Sequence, residues 1–260
     1  MRVTLIGSGN LATHLGAALK NAGHQIVQVY SPNVQNAAIL AYHIKAEAID
    51  KFELINTDTE IFLIAVKDAA IEQTAQELSK FNKLVVHTSG ATSLQTIQLY
   101  NKNAGVFYPL QTFSKFREID FSTVPLCIEG ADEEIKSKLV QLAQTISKYV
   151  YQVDSEQRKI LHLAAVFACN FPNYLYNVAH QLLKKNKLDF DLIRPLILET
   201  AQKVQNSLPA EVQTGPAVRN DQNTMNNHLQ LLDQEPGLKA IYQLLSQEII
   251  KNANANHLDE

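Results

Sequence analysis

Three small residues stand at fixed spacing near the start of the chain, in Gly7-Ser8-Gly9-Asn10-Leu11-Ala12. The spacing G-x-G-x-x-A suits a turn that receives a pyrophosphate. Gly7 permits the tight turn, Gly9 has no side chain to hold a phosphate off the backbone, and Ala12 lets a helix pack closely on a strand. Ser8, Asn10 and Leu11 complete the expected phosphate-binding set, because a helix N-terminus offers unpaired N–H groups and the positive end of a dipole. About 20 residues on, an NAD-binding unit usually carries Asp or Glu for the adenosine ribose. Here Ser31-Pro32-Asn33 stands in that place. Ser31 and Asn33 can donate hydrogen bonds to a 2′-phosphate that an acid would repel, so the expected cofactor is NADP, with NAD the alternative. The same tripeptide also reads as an ordinary helix-capping turn.

Other groups fit the second half of such a site. The backbone of Ala65, Val66 and Lys67 follows an apolar run and is expected to line the nicotinamide ribose, while Asp68 is placed to cap a helix. His87-Thr88-Ser89-Gly90 brings an imidazole, two hydroxyls and a glycine to a strand end. It reads either as a binder of a substrate carbonyl or carboxylate or as a turn whose hydroxyls satisfy the backbone. Tyr108-Pro109-Leu110-Gln111-Thr112-Phe113 opens a long irregular connection that is either functional, with Gln111 toward substrate, or surface ornament. At helical spacing His162, Cys169 and Asn173 share a face, with Asn170 and Asn177 close by. Those amides need partners, in a substrate cleft or in an interhelix contact. Arg219 suits an anion, or pairs with Asp221 or Glu211 to hold its loop. The expected catalytic set is His162, His87 and Asn170, and Ser89, Asn173, Gln111 and Arg219 are expected to bind substrate.

These groups need elements to position them. Strand and helix patterns alternate to about residue 153: strands at 3–6, 25–30, 61–66, 84–87, 104–108, 125–129 and 149–152, with helices between. That alternation predicts an α/β fold, a doubly wound parallel sheet of the Rossmann type over 1–153. From 154 to 260 only helical periodicity remains, so an all-α domain follows. It consists of a long helix from 155 toward 185 that Pro172 kinks or divides, then helices near 190–206, 221–232 and 236–252 and a frayed polar tail.

The bulk properties limit the function. The 260 residues are 46% hydrophobic and 19% charged, with a net charge of -3 and no long basic run, so nucleic acid is not an expected partner. The apolar stretch at 161–171 is too short to span a bilayer. The first strand begins at residue 2 and leaves no room for a signal peptide, so a cytoplasmic location is expected. Cys127 and Cys169 make neither a metal spacing nor a disulfide framework, and no metal is expected.

The start Leu5-Ile6-Gly7-Ser8-Gly9-Asn10-Leu11-Ala12 resembles the broad group containing pyrroline-5-carboxylate reductase, 6-phosphogluconate dehydrogenase and prephenate dehydrogenase. Together with Val85-Val86-His87-Thr88-Ser89-Gly90, Tyr108-Pro109-Leu110-Gln111-Thr112-Phe113 and Thr214-Gly215-Pro216 followed by Arg219 and Asp221, it resembles a bacterial Rossmann-like NADP oxidoreductase family. That family has a helical C-terminal domain of uncharacterised function, and the resemblance covers nearly the whole chain. It implies a homodimer through the helical domain and an active cleft between the two domains. It carries over no catalytic apparatus. Hydroxyacid dehydrogenases of the wider group use a Lys one turn before an Asn, and here Val166 stands one turn before Asn170. The expectation is an NADP-dependent enzyme that moves a hydride between nicotinamide and a small carbonyl, imine or hydroxy compound, with His162 or His87 as acid/base. The alternatives are a non-catalytic protein that senses nicotinamide redox state and an S-adenosylmethionine-dependent transferase.

Overall fold

The computed structural model describes residues 1–256. Strand β1 (Arg2–Ile6) is buried from Val3 onward and leads through the glycine turn into α1 (Asn10–Asn21). β2 (Gln25–Tyr30), α2 (Val34–Ile44) and β3 (Glu47–Ile49) follow. β3 has no counterpart among the expected strands. β4 (Ile61–Ile64) is buried throughout, then come α3 (Ile71–Leu78), β5 (Leu84–His87), α4 (Leu94–Gln98) and β6 (Ala104–Pro109). β7 (Leu126–Gly130), α5 (Glu133–Gln144) and β8 (Val150–Gln152) complete an eight-stranded sheet.

The order is β3-β2-β1-β4-β5-β6-β7-β8. The chain begins in the middle, winds to one edge, returns, and winds to the other. The switch point therefore lies between β1 and β4, where open α/β sheets place their ligands. All neighbours are parallel except β6 and β7. The expectation of a wholly parallel sheet is corrected at that pair. Between β6 and β7 the chain makes only a 3-10 turn (Phe121–Thr123) and no helix. Without a crossover helix the strand comes back antiparallel. Two apolar layers cover the faces of the sheet, one including Leu5, Leu15, Leu63 and Phe107, the other Ile6, Phe62, Val85 and Val106.

After β8 the chain is helical. α6 (Ser155–Ala165) starts at a capping box, in which the Asp154 side chain accepts from Gln157 N and the Gln157 side chain accepts from Asp154 N. A π-helical turn (Val166–Asn170) then leads into α7 (Phe171–Lys185). Pro172 sits just past the π turn, where its missing N–H and its ring prevent a regular bond to the preceding turn. The compact units of the chain are Met1–Leu175 and Tyr176–Glu260. α6 thus belongs to the unit that contains the sheet, and α7 ends in the second. In that second unit the helix expected at 190–206 is a 3-10 turn (Phe190–Leu192) followed by α8 (Arg194–Lys203), with Pro195 in its first turn. α9 (Gln222–Leu231) and α10 (Pro236–Asn256) follow. α10 runs beyond the expected end at 252. The rest of the predicted polar tail, residues 257–260, lies outside the described residues.

Candidate active site

Gly7 adopts φ +122°, and a Cβ there would lie 2.3 Å from the Ala65 carbonyl oxygen. Both its dihedral and its closeness to the end of β4 require glycine. Gly9 is the N-cap of α1 and has no side chain to cap it. A Cβ on Gly9 would meet nothing within 4 Å. The space above the turn is therefore open, and the first N–H groups of α1 face it without a side-chain partner. From here a cavity of about 960 Å³ extends both ways along the carboxyl ends of the strands. Residues 7–11 lie at its middle, Tyr30, Ser31, Pro32 and Phe52 at one end, and residues 65–68, 88–90, Tyr108 and His162 on the other side. The glycine cradle and this length fit a dinucleotide.

The end beside β2 is aromatic and carries no cation. Tyr30 stacks on Phe52 with ring centroids 4.2 Å apart. Ser31 is buried and donates its N–H to Ile49 O at 3.0 Å. Burial raises the Tyr30 phenol above its ordinary pKa, and Asp50, Glu53 and Glu77 add to the rise. Among the described residues Lys67 is the one Lys or Arg on the cavity wall. Asn33 is corrected here. It is absent from the wall, and its carboxamide oxygen caps α2 by accepting from Gln35 N at 3.0 Å and Asn36 N at 3.4 Å. Asp68 departs from expectation the other way, for it makes no helix cap and lies on the wall.

At the opposite end Tyr108 and His162 meet. The Tyr108 hydroxyl is 3.1 Å from His162 Nδ1, with the rings edge-on at 73°. Gly90 makes room for them, since a Cβ there would fall 2.7 Å from both His162 Nδ1 and Tyr108 Cζ. Burial pushes the Tyr108 phenol up to about 12, with Cys127 adding to the rise and Arg158 opposing it. Arg158 lies one turn before His162 on α6. The Arg158 guanidinium is 0% exposed, pairs with Glu129 of β7 and donates to Thr92 O at 2.6 Å and Ser155 Oγ at 3.1 Å. The connection after β6 lies against the glycine turn. Asn10 Nδ2 donates to Phe113 O at 3.0 Å, His14 Nε2 lies 2.8 Å from Ser114 O, and Lys115 Nζ donates to Ser8 O at 2.9 Å.

Several expected site residues lie elsewhere. His87 is 0% exposed and does not reach the wall. Its Nδ1 accepts from Ser89 N at 3.2 Å. Its pKa is pushed down to about 3 by burial and by Arg158, with the Ser93 backbone opposing. It is a neutral core residue rather than an acid/base. Asn170 and Asn173 are exposed and off the wall. The π turn is the reason, because an extra residue in one turn rotates everything after it away from the face of His162. Gln111 is exposed and borders a separate hollow of the 111–123 loop, accepting from Thr112 N at 2.8 Å. Arg219 is exposed in the second unit and forms no salt bridge with Asp221 or Glu211 among the described residues, although after Thr224 its charge helps hold the Asp221 carboxyl below its ordinary pKa. Asp221 instead caps α9 through Thr224 N at 3.1 Å. Gly7, Ser8, Gly9, Asn10, Leu11, Ser31, Ala65, Val66, Lys67, Ser89 and His162 all line the cavity. Sequence reasoning missed Phe52 as a wall residue and named Thr88 and Tyr108 only within their strand-end motifs. Tyr108 was legible at the head of its strand-end motif, whereas Phe52 belongs to a short 3-10 turn with no pattern of its own. No group of three or more His, Cys, Asp or Glu suited to a metal occurs among the described residues, and none of their helices is long and apolar enough to cross a membrane.

A glycine turn at a sheet switch point, opening into a long cavity, defines a protein of the Rossmann class. Residues 2–90 match the family described as NADP oxidoreductase coenzyme F420-dependent, and residues 124–249 match a domain of unknown function, DUF2520. The chain is 43% identical to a Bacteroides fragilis protein whose crystal structure is described as a "putative NADP oxidoreductase", over 96% of this chain and 98% of that one, with a TM-score of 0.90. The chain belongs to this NADP oxidoreductase family, with its Rossmann N-terminal and DUF2520 C-terminal regions. Two further structures share the fold. An imine reductase from Myxococcus stipitatus in complex with NADP+ is 15% identical, over 99% and 96% of the two chains, with a TM-score of 0.67. A 1-pyrroline-5-carboxylate reductase from Streptococcus pyogenes is 14% identical, over 98% of each, with a TM-score of 0.63. No functionally curated protein matches the chain in sequence.

Proposed function

We propose that this chain is an NADP-dependent oxidoreductase acting on a small carbonyl, imine or hydroxy compound at the Tyr108–His162 end of the cavity. The observation that carries the reading is a hydrogen-bonded phenol and imidazole on the same wall as the glycine turn. The dinucleotide, when bound, supplies or accepts the hydride. The protein's part is a proton and its position. A phenol held near 12 stays protonated and has a hydrogen to give to His162 Nδ1. In that pairing Nε2 carries the ring hydrogen, and as it passes to a substrate oxygen or nitrogen Nδ1 takes the phenol's hydrogen, so that the pair relays one proton.

The choice of NADP rests on the missing acid at the end of β2 and on the buried Ser31 hydroxyl beside the cavity. The family description and the NADP+ bound by the Myxococcus imine reductase support it. With no cation at that end and Glu77 on the wall, the preference over NAD is small, about tenfold or less. Fluorescence titration with NADPH and NADH tests the cofactor, and failure of both to bind at millimolar levels overturns the reading. A panel of carbonyls and imines then tests turnover, which His162→Ala abolishes while leaving NADPH binding intact. A homodimer through the helical region is part of the same proposal. Leu196, Leu198, Leu231 and Leu244 are exposed there, an apolar load that a second copy would cover. Light scattering that gives a monomer mass refutes it.

A further inference from the structure

Thr88 and Ser89 leave β5 side by side and line the cavity, 6% and 8% exposed. The hydrogen bonds they already make dictate what each has left. Thr88 sends both its N–H and its hydroxyl hydrogen to Ile64 O, at 3.1 and 3.0 Å. A carbonyl only accepts, so that hydroxyl hydrogen is committed and Oγ1 retains lone pairs alone. Ser89 is the converse. Its Oγ accepts from Ala91 N at 3.1 Å and Thr92 N at 3.0 Å. Both lone pairs are occupied, and what remains is the hydroxyl hydrogen. One residue therefore offers an acceptor and the next a donor.

Several common ligand groups fail to match that pair. A carboxylate would leave the Thr88 lone pairs facing a negative oxygen. A ketone satisfies Ser89 alone, and an ammonium Thr88 alone. A primary carboxamide carries an N–H donor and a carbonyl acceptor on one planar group and satisfies both. We propose that Thr88 and Ser89 read the carboxamide of the nicotinamide, Ser89 donating to its oxygen and Thr88 accepting from its nitrogen. This inference rests on the cofactor reading above and moves Ser89 from substrate to cofactor. Gripping both ends of the carboxamide fixes the rotation of the ring, and so decides which face is turned toward Tyr108 and His162. The same pair discriminates against a nicotinic acid ring, whose carboxylate has no hydrogen for Thr88.

Calorimetric titration tests this with three ligands: NADP+, its 3-acetylpyridine analogue and its nicotinic acid analogue. The acetyl group keeps the carbonyl and loses the N–H. Wild type should bind the acetylpyridine analogue about three- to tenfold more weakly than NADP+, the measure of one neutral hydrogen bond, and the nicotinic acid analogue more weakly still. Thr88→Val should weaken NADP+ by a similar factor and lose nothing further with the acetylpyridine analogue. Thr88→Ser, which keeps the hydroxyl, should restore binding. Ser89→Ala should weaken both ligands, its loss multiplying that of the analogue. If the Thr88→Val and analogue losses multiply, or wild type binds the three ligands alike, the proposal is overturned while the cofactor reading stands. If wild type binds no dinucleotide, both fall.

Discussion

Alanine at Gly9 separates the cofactor site from the fold. Gly9 has φ -75° and ψ -172°, extended backbone open to any residue, and an added Cβ meets no atom within 4 Å. Gly9→Ala therefore keeps the native packing and, by restricting the unfolded chain, raises stability by about 0.4–1 kcal/mol. Gly7→Ala is the control. There φ is +122° and the new Cβ lies 2.3 Å from Ala65 O. Neither backbone can yield easily, since Gly7 N bonds Tyr30 O at 2.8 Å and Ala65 N bonds Ile6 O at 2.8 Å. The backbone strain costs about 1–3 kcal/mol and the overpacking about as much again. At roughly 2–4 °C per kcal/mol for a chain of this size, Gly7→Ala lowers Tm by on the order of 10 °C and Gly9→Ala raises it slightly. Binding responds the other way. A methyl group where the pyrophosphate must approach costs about 1–3 kcal/mol, which is roughly a five- to hundredfold loss of NADPH affinity. Thermal melts without ligand, then NADPH fluorescence titrations, read both quantities. If Gly9→Ala melts early alongside Gly7→Ala, the open space above the turn is wrong. If it binds NADPH like wild type, the pyrophosphate does not sit there.

Three further outcomes follow from the same geometry. Gly90→Ala should cost about 1–3 kcal/mol, and less in a His162→Ala background, because the added methyl collides with that imidazole; equal costs in thermal melts would refute the crowding. His87 is neutral in the folded chain with its pKa pushed down to about 3, while the unfolded chain takes up a proton near 6.5, so folding should lose about 1.4 kcal/mol per pH unit as pH falls from 6.5 toward 3. Urea titrations across that range should give a shallower slope for His87→Gln, and an unchanged slope rules out this residue as the cause. Glu129→Gln leaves the buried Arg158 without its carboxylate and should cost about 3–5 kcal/mol by urea denaturation, whereas a loss under about 1 kcal/mol would mean that the pair is exposed to solvent.

The sequence discloses some of this site and conceals the rest for identifiable reasons. Gly7, Gly9 and Ala12 were legible because their roles are local, fixed by dihedral and volume within one strand–turn–helix unit. The alternation of strands was legible for the same reason, down to the β6–β7 pair, whose reversal depends on a helix that the connection lacks. His87 misled because an imidazole at a strand end looks alike whether it points into the cavity or into the core, and its neighbours in space decide which. Asn170 and Asn173 misled because the count from His162 assumes 3.6 residues per turn, and the π turn Val166–Asn170 breaks that count. Ser31 and Asn33 stood for two roles at once, a phosphate site and a helix cap. The structure divides them, with Asn33 on the cap and Ser31 on the cavity wall.

The least legible part is what holds His162 in place. Arg158 draws partners from two segments distant in sequence, Glu129 on β7 and Thr92 before α4, and from Ser155 at the start of its own helix. Such a cluster is a poor way to gain stability, since an apolar side chain of similar volume usually does as well. Its Nε has no hydrogen-bond partner among the described residues, which makes burial costlier still. What the cluster supplies is direction. A guanidinium bound on several sides tolerates one rotation of α6 about its axis, and residue 162 lies on the same face one turn later. Fixing Arg158 therefore fixes where the His162 ring falls, against Tyr108 and over Gly90. An apolar residue at 158 could fill the space without choosing that rotation. The buried charge is thus better understood as part of the site than as part of the core.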